Sequence, residues 1–494
     1  MSQAFIRGGT VVTAEGRRRA DVLLGAGKVL AVGEGLEPPV AGEVVDAGGC
    51  FVLPGGVDPH THLQLPMMGT VVADDFLSGT AAAAAGGTTT LLDFVGPDRG
   101  EPPLDALRRW QGWASRAAVD YGLHMTVSWW GERFAADMAP LVREHGVASF
   151  KFFQAYKGGL MLPDEHIIQG FVRCRELGAV AQIHAEHGDL IAYLQARLVA
   201  EGVTGPRGHA LSRPPQLEGE ATYRAITMAE ITEAPLYVVH VSAAEAAEAI
   251  GRARARGVRV VGETLPGFLH LDDSVYDQSE FDRAAGHVMS PPYRPRGHQE
   301  ALWRALASGA LSTTGTDHCC FTTEQKRLGR EDFRKIPNGC GGVEDRLHVL
   351  WQLGVNGGRL TPEEFVAVTS TNAARAFNLW PRKGALQPGS DADVAVLDPG
   401  RTKTISARTQ RQRTDFSVWE GFQAKGVVVH TFAGGRHVYA DGDLRAEAGT
   451  GRYLPRAPFG PAYQGTVDVR GRAPSARPSP PLRGGEGEPA DHGW

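Results

Sequence analysis

The stretch Phe51-Val52-Leu53-Pro54-Gly55-Gly56-Val57-Asp58-Pro59-His60-Thr61-His62 decides how this chain is read. Residues 50–60 form an apolar strand pattern whose end presents His60 and His62, one residue apart. Side chains alternate faces along a strand, so positions i and i+2 point the same way and two imidazoles can converge on one ion. With 17 histidines in 494 residues, such a pair also fits a surface coincidence. Its place after Pro54-Gly55-Gly56, at the end of a buried strand, and the residues that later strand ends carry favour a metal.

Working outward, residues 88–95, 123–129, 148–153, 180–184, 236–240, 258–263 and 311–317 repeat the apolar strand pattern. Amphipathic helical stretches at 103–118, 135–145, 164–177, 243–256 and 299–307 separate most of them. Strands alternating with helices imply parallel pairing and, at this count, an α/β fold of the closed (β/α)8, TIM-like type. An open doubly wound sheet competes, but no Gly-x-Gly-x-x-Gly turn follows the first strand. Further helices are expected at 343–353, 362–368 and 372–377. Residues 1–54 and 383–465 instead show short strands at close, Gly-punctuated intervals, the texture of an antiparallel sheet. The expected organisation is a barrel over 55–382, a smaller β-sandwich domain built from 1–54 and 383–465, and a disordered Pro/Gly-rich tail over 466–494.

Composition narrows the function. Hydrophobic residues make up 42% and charged residues 22%, with a net charge of -5 and no basic run, which gives no electrostatic reason to expect nucleic acid or an anionic membrane as partner. No apolar run is long enough to span a bilayer, and the N-terminal residues lack a secretory signal pattern, so a cytoplasmic location is expected. The cysteines, Cys50, Cys174, Cys319, Cys320 and Cys340, are odd in number and not spaced as a disulfide framework, as suits a reducing compartment. Adjacent Cys319 and Cys320 have no C-x-x-C partner and read as small buried fillers.

Barrel enzymes place their chemistry at the carboxyl ends of the strands. Those ends carry His60 and His62 from the first strand, Lys151 from the fourth, His184 from the fifth, His240 from the sixth and Asp317 from the eighth. Each has a bland alternative: core histidines, a capping aspartate, a lysine that snorkels to the barrel mouth. Six such residues at one end of five strands argue for a site. Lys151, in Ala148-Ser-Phe-Lys-Phe-Phe153, is the most informative. A buried, unpaired ammonium has a lowered pKa, and a neutral amine can take up carbon dioxide to give an anionic carbamate able to bridge two metal ions.

His60-Thr-His62, Phe150-Lys151-Phe152, Gln182-Ile-His184-Ala-Glu186, Val239-His240-Val241 and Gly315-Thr-Asp317 together resemble the cyclic amidohydrolases, in particular their dihydropyrimidinase and hydantoinase branch. The resemblance extends to Asp74-Asp-Phe76, Ala155-Tyr-Lys157, Ser290-Pro-Pro292, Lys335-Ile-Pro-Asn338 and Gly342-Val-Glu-Asp-Arg346, and covers roughly residues 3 to 460. It implies two Zn2+ per subunit, one held by His60, His62 and Asp317 and the other by His184 and His240, bridged by carboxylated Lys151 and a hydroxide. It implies Asp317 as proton shuttle, Tyr156 beside the developing oxyanion, and Ser290 and Asn338 at the edges of a cyclic ureide. It also suggests a homotetramer. The expected activity is ring opening of dihydropyrimidines, with 5-substituted hydantoins as the alternative; a non-catalytic scaffold of the collapsin response mediator type is the rival from another class. His187 stands where the family usually has asparagine, and His318 follows Asp317; either could alter the surroundings of the ligands.

The uncharged, mostly apolar segments 63–68 and 158–162 suit a neutral ring. Gln64 and Thr313-Thr-Gly-Thr-Asp317 look more like dihydropyrimidinases than bacterial hydantoinases, and this resemblance implies dihydropyrimidines over hydantoins.

Overall fold

The computed structural model describes residues 3–459. Eight parallel strands, Gly56–Thr61, Thr88–Val95, Asp120–Thr126, Ser149–Phe153, Val180–His184, Leu236–Val238, Val260–Thr264 and Thr313–Thr314, pair in chain order. A parallel bridge between Thr61 and His318, with the His62 N–H donating to the His318 carbonyl at 2.9 Å, brings the last strand back to the first. All eight strands are buried along their whole length, the reason that their sequences read as nearly continuous apolar runs. Helices including Pro103–Ala114, Asp164–Leu177, Pro215–Thr232 and Ala244–Ala255 lie between them in the chain. At the foot of the barrel, fully buried Arg346 donates to the carbonyls of Val57 (3.1 Å), Thr314 (2.7 Å) and Thr369 (3.2 Å), tying the first and last strands to the helices that follow.

The terminal segments form one connected, mostly antiparallel sheet of nine strands. Gln3–Thr13 pairs antiparallel with Gly16–Gly25 but parallel with Gly42–Asp46 and Phe51–Pro54, so the N-terminal part is mixed rather than purely antiparallel as its punctuation suggests. Phe51–Pro54 also pairs antiparallel with Val394–Thr404, and there the two ends of the chain are sewn together. Ile6, Val11, Val22, Val394, Val396 and Phe432 pack in the core of this sheet.

The single strand expected over 50–60 is two strands in two different sheets. Phe51–Pro54 belongs to the terminal sheet and Gly56–Thr61 to the barrel. Between them Gly55 donates its N–H to Asp393, and a Cβ there would come within 2.2 Å of the Thr89 hydroxyl, so the crossing admits only glycine without rearrangement. A buried salt cluster braces the same junction: Lys383 contacts Asp120 (2.6 Å), Asp391 (3.1 Å) and Asp393, and Arg452 contacts Asp120 (2.6 Å) and Asp391 (2.9 Å).

The eighth strand, Thr313–Thr314, is shorter than its apolar pattern suggests, and Asp317 beyond it takes a left-handed φ of 49°. The helices expected at 343–353 and at 362–368 and 372–377 run on through π-helical turns at Trp351–Asn356 and Ala367–Thr371. The stretch 466–494, expected to be disordered, lies outside the described residues.

Candidate active site

All six candidate ligands meet at one end of the barrel. Asp317 Oδ1 lies 3.1 Å from Nε2 of both His60 and His62. Lys151 Nζ is 2.8 Å from His60 Nε2, and His184 Nδ1 is 2.9 Å from His240 Nε2. The His60 and His240 rings stack at 5.4 Å, joining the two halves. Register explains part of this: Thr126 pairs with Lys151 and Phe153 with His184, so the fourth and fifth strands deliver these side chains at adjacent levels. His240 and Asp317 lie just past their strands, with φ of 40° and 49°. Such left-handed backbone is unfavourable for non-glycine residues and is concentrated at functional sites.

The surrounding residues decide which nitrogen His60 and His184 offer. His60 Nδ1–H donates to Glu263 Oε1 at 2.7 Å, which leaves Nε2 with a lone pair facing the cluster. The same Glu263 oxygen accepts the His240 N–H at 2.9 Å, and its other oxygen accepts the Tyr237 hydroxyl at 2.8 Å. His184 Nε2–H donates to Glu186 Oε2 at 2.7 Å, leaving Nδ1 toward His240. Carboxylates behind histidines in this way fix tautomer and ring orientation in metal sites.

Three of the four imidazoles are held toward their neutral, donor form. Burial, then Lys151 and neighbouring His60, hold His62 down at about 4, and burial reinforced by His184 puts His240 well below its ordinary value. His184 is lowered chiefly by burial, with Glu186 opposing. Both burial and Lys151 act to lower His60, but Asp317 and Glu263 outweigh them and its pKa is raised. Asp317 pays for burial, yet His60 and His62 hold its carboxyl well below the usual range. Lys151, wholly buried with Nζ 4.3 Å over the Phe94 ring and 5.3 Å over that of Phe153, is brought down to about 8 by burial.

The donor set fits divalent metal. His60, His62 and Asp317 offer three ligand atoms within 4.8 Å of one another, and imidazole with carboxylate suits zinc. Opposite them, His184 and His240 place ring nitrogens face to face at hydrogen-bonding distance, with the Nδ1 of His240 buried and unpartnered among the described residues.

Tyr156 closes the site beside His184, ring centroids 5.0 Å apart, with its backbone at φ 67°. Burial raises its phenol strongly, while Arg213 and a hydrogen bond with Ser290 counter this. Ser290 is buried and precedes a cis Pro291. Asn338 adjoins Gly339, whose N–H donates to the Val288 carbonyl, and its Oδ1 is buried without a partner among the described residues. Thus Tyr156 and Ser290 are brought together, and Asn338 reaches the same neighbourhood through the backbone.

His187 caps the helix Gly188–Ala200, accepting the Leu190 N–H at 3.4 Å. His318 turns from the ligands to Asp74 (Nε2 to Oδ2, 3.0 Å), and Cys320 donates to the same oxygen. Cys319 and Cys320 are buried, as fillers should be, and Cys319 Sγ rests 3.6 Å from Met67 Sδ. Glu263 and Arg213 belong to the site although no motif marks them. The signal Glu263 carries is a carboxylate ending an apolar strand at the same end as the ligands; Arg213, from the segment before a helix, carries none.

Residues 51–438 match the family model described as the amidohydrolase family. The chain belongs to this family. It is 46% identical to the dihydropyrimidinase of Arabidopsis thaliana over 464 residues, 94% of this chain and 87% of that one. It is 44% identical to the D-hydantoinase of Geobacillus stearothermophilus over 92% of this chain and 97% of that one. Among solved structures, the dihydropyrimidinase of Brevibacillus agri superposes with a TM-score of 0.91 at 44% identity, covering 93% of this chain and 99% of that one. No described helix is long and apolar enough to cross a membrane.

Proposed function

We propose that this amidohydrolase is a dihydropyrimidinase, hydrolysing 5,6-dihydrouracil and dihydrothymine to N-carbamoyl-β-amino acids. The carrying observation is the convergence of His60, His62, Lys151, His184, His240 and Asp317 at one barrel end, with Lys151 held as a low-pKa amine. The relatives named dihydropyrimidinase support the choice of reaction. His60, His62 and Asp317 would hold one zinc ion, His184 and His240 a second, and Lys151, as N6-carboxylysine, would be shared by both. When bound, the pair supplies Lewis acidity to a ring carbonyl and a water activated near neutral pH.

The chain's own residues do the rest. Asp317, kept ionised by His60 and His62, takes a proton from the attacking water and delivers it to the ring nitrogen that departs. Tyr156 donates its hydroxyl to the carbonyl oxygen as negative charge grows there. Backbone groups at Ser290 and Asn338 hold the ureide N–H and C=O edges. Leu65 and Met67 pack with Cys319, Cys320 and Phe321, an apolar rim beside Asp317 that suits a neutral ring. Arg213 near Tyr156 is already paired with Glu186, so it is not free to take the carboxylate of dihydroorotate.

The test is kcat/KM for dihydrouracil, dihydrothymine, a series of 5-substituted hydantoins and dihydroorotate under one metal condition. Dihydrouracil and dihydrothymine should be opened, small apolar hydantoins accepted and dihydroorotate refused. A large preference for aryl hydantoins would make the protein a D-hydantoinase, the second reading, which the Geobacillus stearothermophilus relative favours. A purified protein devoid of bound metal would support the scaffold reading instead.

The free cysteines support a cytoplasmic setting, and exposed Tyr193, Tyr223 and Ile231 on neighbouring helices support assembly into a homotetramer, measurable by light scattering.

A further inference from the structure

Behind the candidate ligands runs a buried chain of charges that starts at one histidine and ends beside another. His184 Nε2–H donates to Glu186 Oε2, and the same oxygen accepts Arg213 Nη1 at 2.5 Å. The Arg213 carbonyl accepts Arg294 Nη1, and Arg294 Nη2 donates to Glu218 Oε2 at 2.7 Å. Glu218 Oε1 accepts the N–H groups of Ser242 (2.8 Å) and Ala243 (3.0 Å), just beyond His240. Arg213, Glu186, Arg294 and Glu218 are all 3% exposed or less. Two cations and two carboxylates balance, which is how a group of charges survives out of water.

Arg213 has a second contact. Its guanidinium carbon sits 5.5 Å from the centroid of the Tyr156 ring, a cation–π geometry, and that ring lies against His184. Tyr156 needs such support because its backbone is left-handed, a conformation that persists only where the surroundings over-determine it. One side chain therefore touches both the carboxylate that orients His184 and the tyrosine that closes the site.

We propose that Arg213 is a positioning residue coupling the His184–His240 half of the site to Tyr156. Its Nη1 holds Glu186 Oε2, the oxygen that fixes the His184 tautomer, while the guanidinium face lies against the Tyr156 ring. Lysine, a point charge without a flat face, cannot lie against the Tyr156 ring while its ammonium meets Glu186. The inference rests on the metal and Tyr156 assignments made above.

The experiment uses full-length, zinc-loaded enzyme and four variants: Arg213→Lys, Arg213→Met, Tyr156→Phe and Arg213→Met/Tyr156→Phe. Bound zinc is followed during chelator competition, kcat and KM for dihydrouracil are measured separately, and thermal melting checks folding. Arg213→Lys should release one of two zinc ions ~10–100-fold more readily, the scale for partners behind a ligand. With zinc in excess its kcat should still lie below wild type by ~10-fold or more while KM changes little, because Tyr156 remains unsupported. With zinc in excess, the double variant should be no slower than Tyr156→Phe alone, as expected of residues that act through one another. Wild-type zinc retention in Arg213→Lys, or kcat losses that simply multiply in the double variant, would overturn the coupling. If Arg213→Met does not fold, Arg213→Lys decides by the zinc and kcat readouts. His184→Ala separates the two levels: retention of both zinc ions there would refute the metal assignment itself, whatever Arg213 does.

Discussion

Among the described residues, two of the buried lysines stand in opposite circumstances. Lys383, at the junction of barrel and terminal sheet, is ringed by Asp120, Asp391 and Asp393. Burial disfavours its charge, but those carboxylates more than offset this and its pKa is raised. Lys151, at the other end of the barrel, meets an imidazole nitrogen and two aromatic faces, and burial brings it down to about 8. A third buried lysine, Lys326, falls between them: it too is lowered to about 8 by burial, but donates to the carbonyls of Val288, Pro337 and Gly339 at 2.7–2.8 Å. Burial alone therefore does not mark a reactive lysine. What separates the three is the company: carboxylates make a clamp, carbonyls make a brace, and imidazoles with aromatic faces leave an amine available for chemistry.

The comparison can be broken most decisively at Lys151. Lys151→Ala should remain folded yet lose bound zinc and turnover together, and bicarbonate with a short carboxylic acid should restore part of both. Metal analysis and kcat on one preparation are the check; two retained zinc ions with near-normal turnover would reduce Lys151 to a core lysine. Next, Asp317→Asn keeps the shape but cannot shuttle a proton, so kcat should fall by ~10² or more. A wild-type rate would leave Asp317 without its proposed role.

At the clamp the expected loss is of stability. Lys383→Met takes from Asp393 the lysine it pairs with and removes one of the cations that hold Asp120 and Asp391, and should cost ~3–5 kcal/mol in urea unfolding, while zinc content and kcat per folded molecule stay unchanged. Lys326→Gln leaves carbonyls unsatisfied at the brace and should cost less, ~1–3 kcal/mol, again without loss of zinc. If either variant lost metal as readily as Lys151→Ala, the distinction drawn from their partners would fail.

The smallest effect concerns acid. Burial opposes ionisation of Asp391, but Lys383, Lys28 and Arg382 outweigh it and hold its carboxyl well below the usual range. A depressed folded pKa contributes stability that is fully present above the unfolded value, ~3.9, and is lost as pH falls through the folded value. Unfolding free energy should therefore drop with acid below about pH 4, and Asp391→Asn should flatten that limb while lowering stability at neutral pH. An unchanged acid limb would remove Asp391 from the clamp.

Much of the fold and the site is legible in the sequence because it depends on local pattern. Apolar strands alternating with amphipathic helices specify a parallel barrel, and polar residues ending those strands specify one face of it, so His60, His62, Lys151, His184, His240 and Asp317 can be found without coordinates. The division of 50–60 between two sheets is not local: it depends on Thr89 lying against Gly55 and on Val394–Thr404 arriving from the far end of the chain. Likewise Glu263 becomes the backing of His60, and Arg213 the partner of Glu186 and Tyr156, only when segments distant in sequence are packed together, whereas Glu186 backs His184 from two residues away. The sequence by itself determined which chemical groups stand at the barrel mouth, since strand period and burial place them there. Tertiary structure alone decided which nitrogen His60 offers and which buried lysine meets an imidazole rather than carboxylates or carbonyls, because both depend on partners that no local pattern encodes.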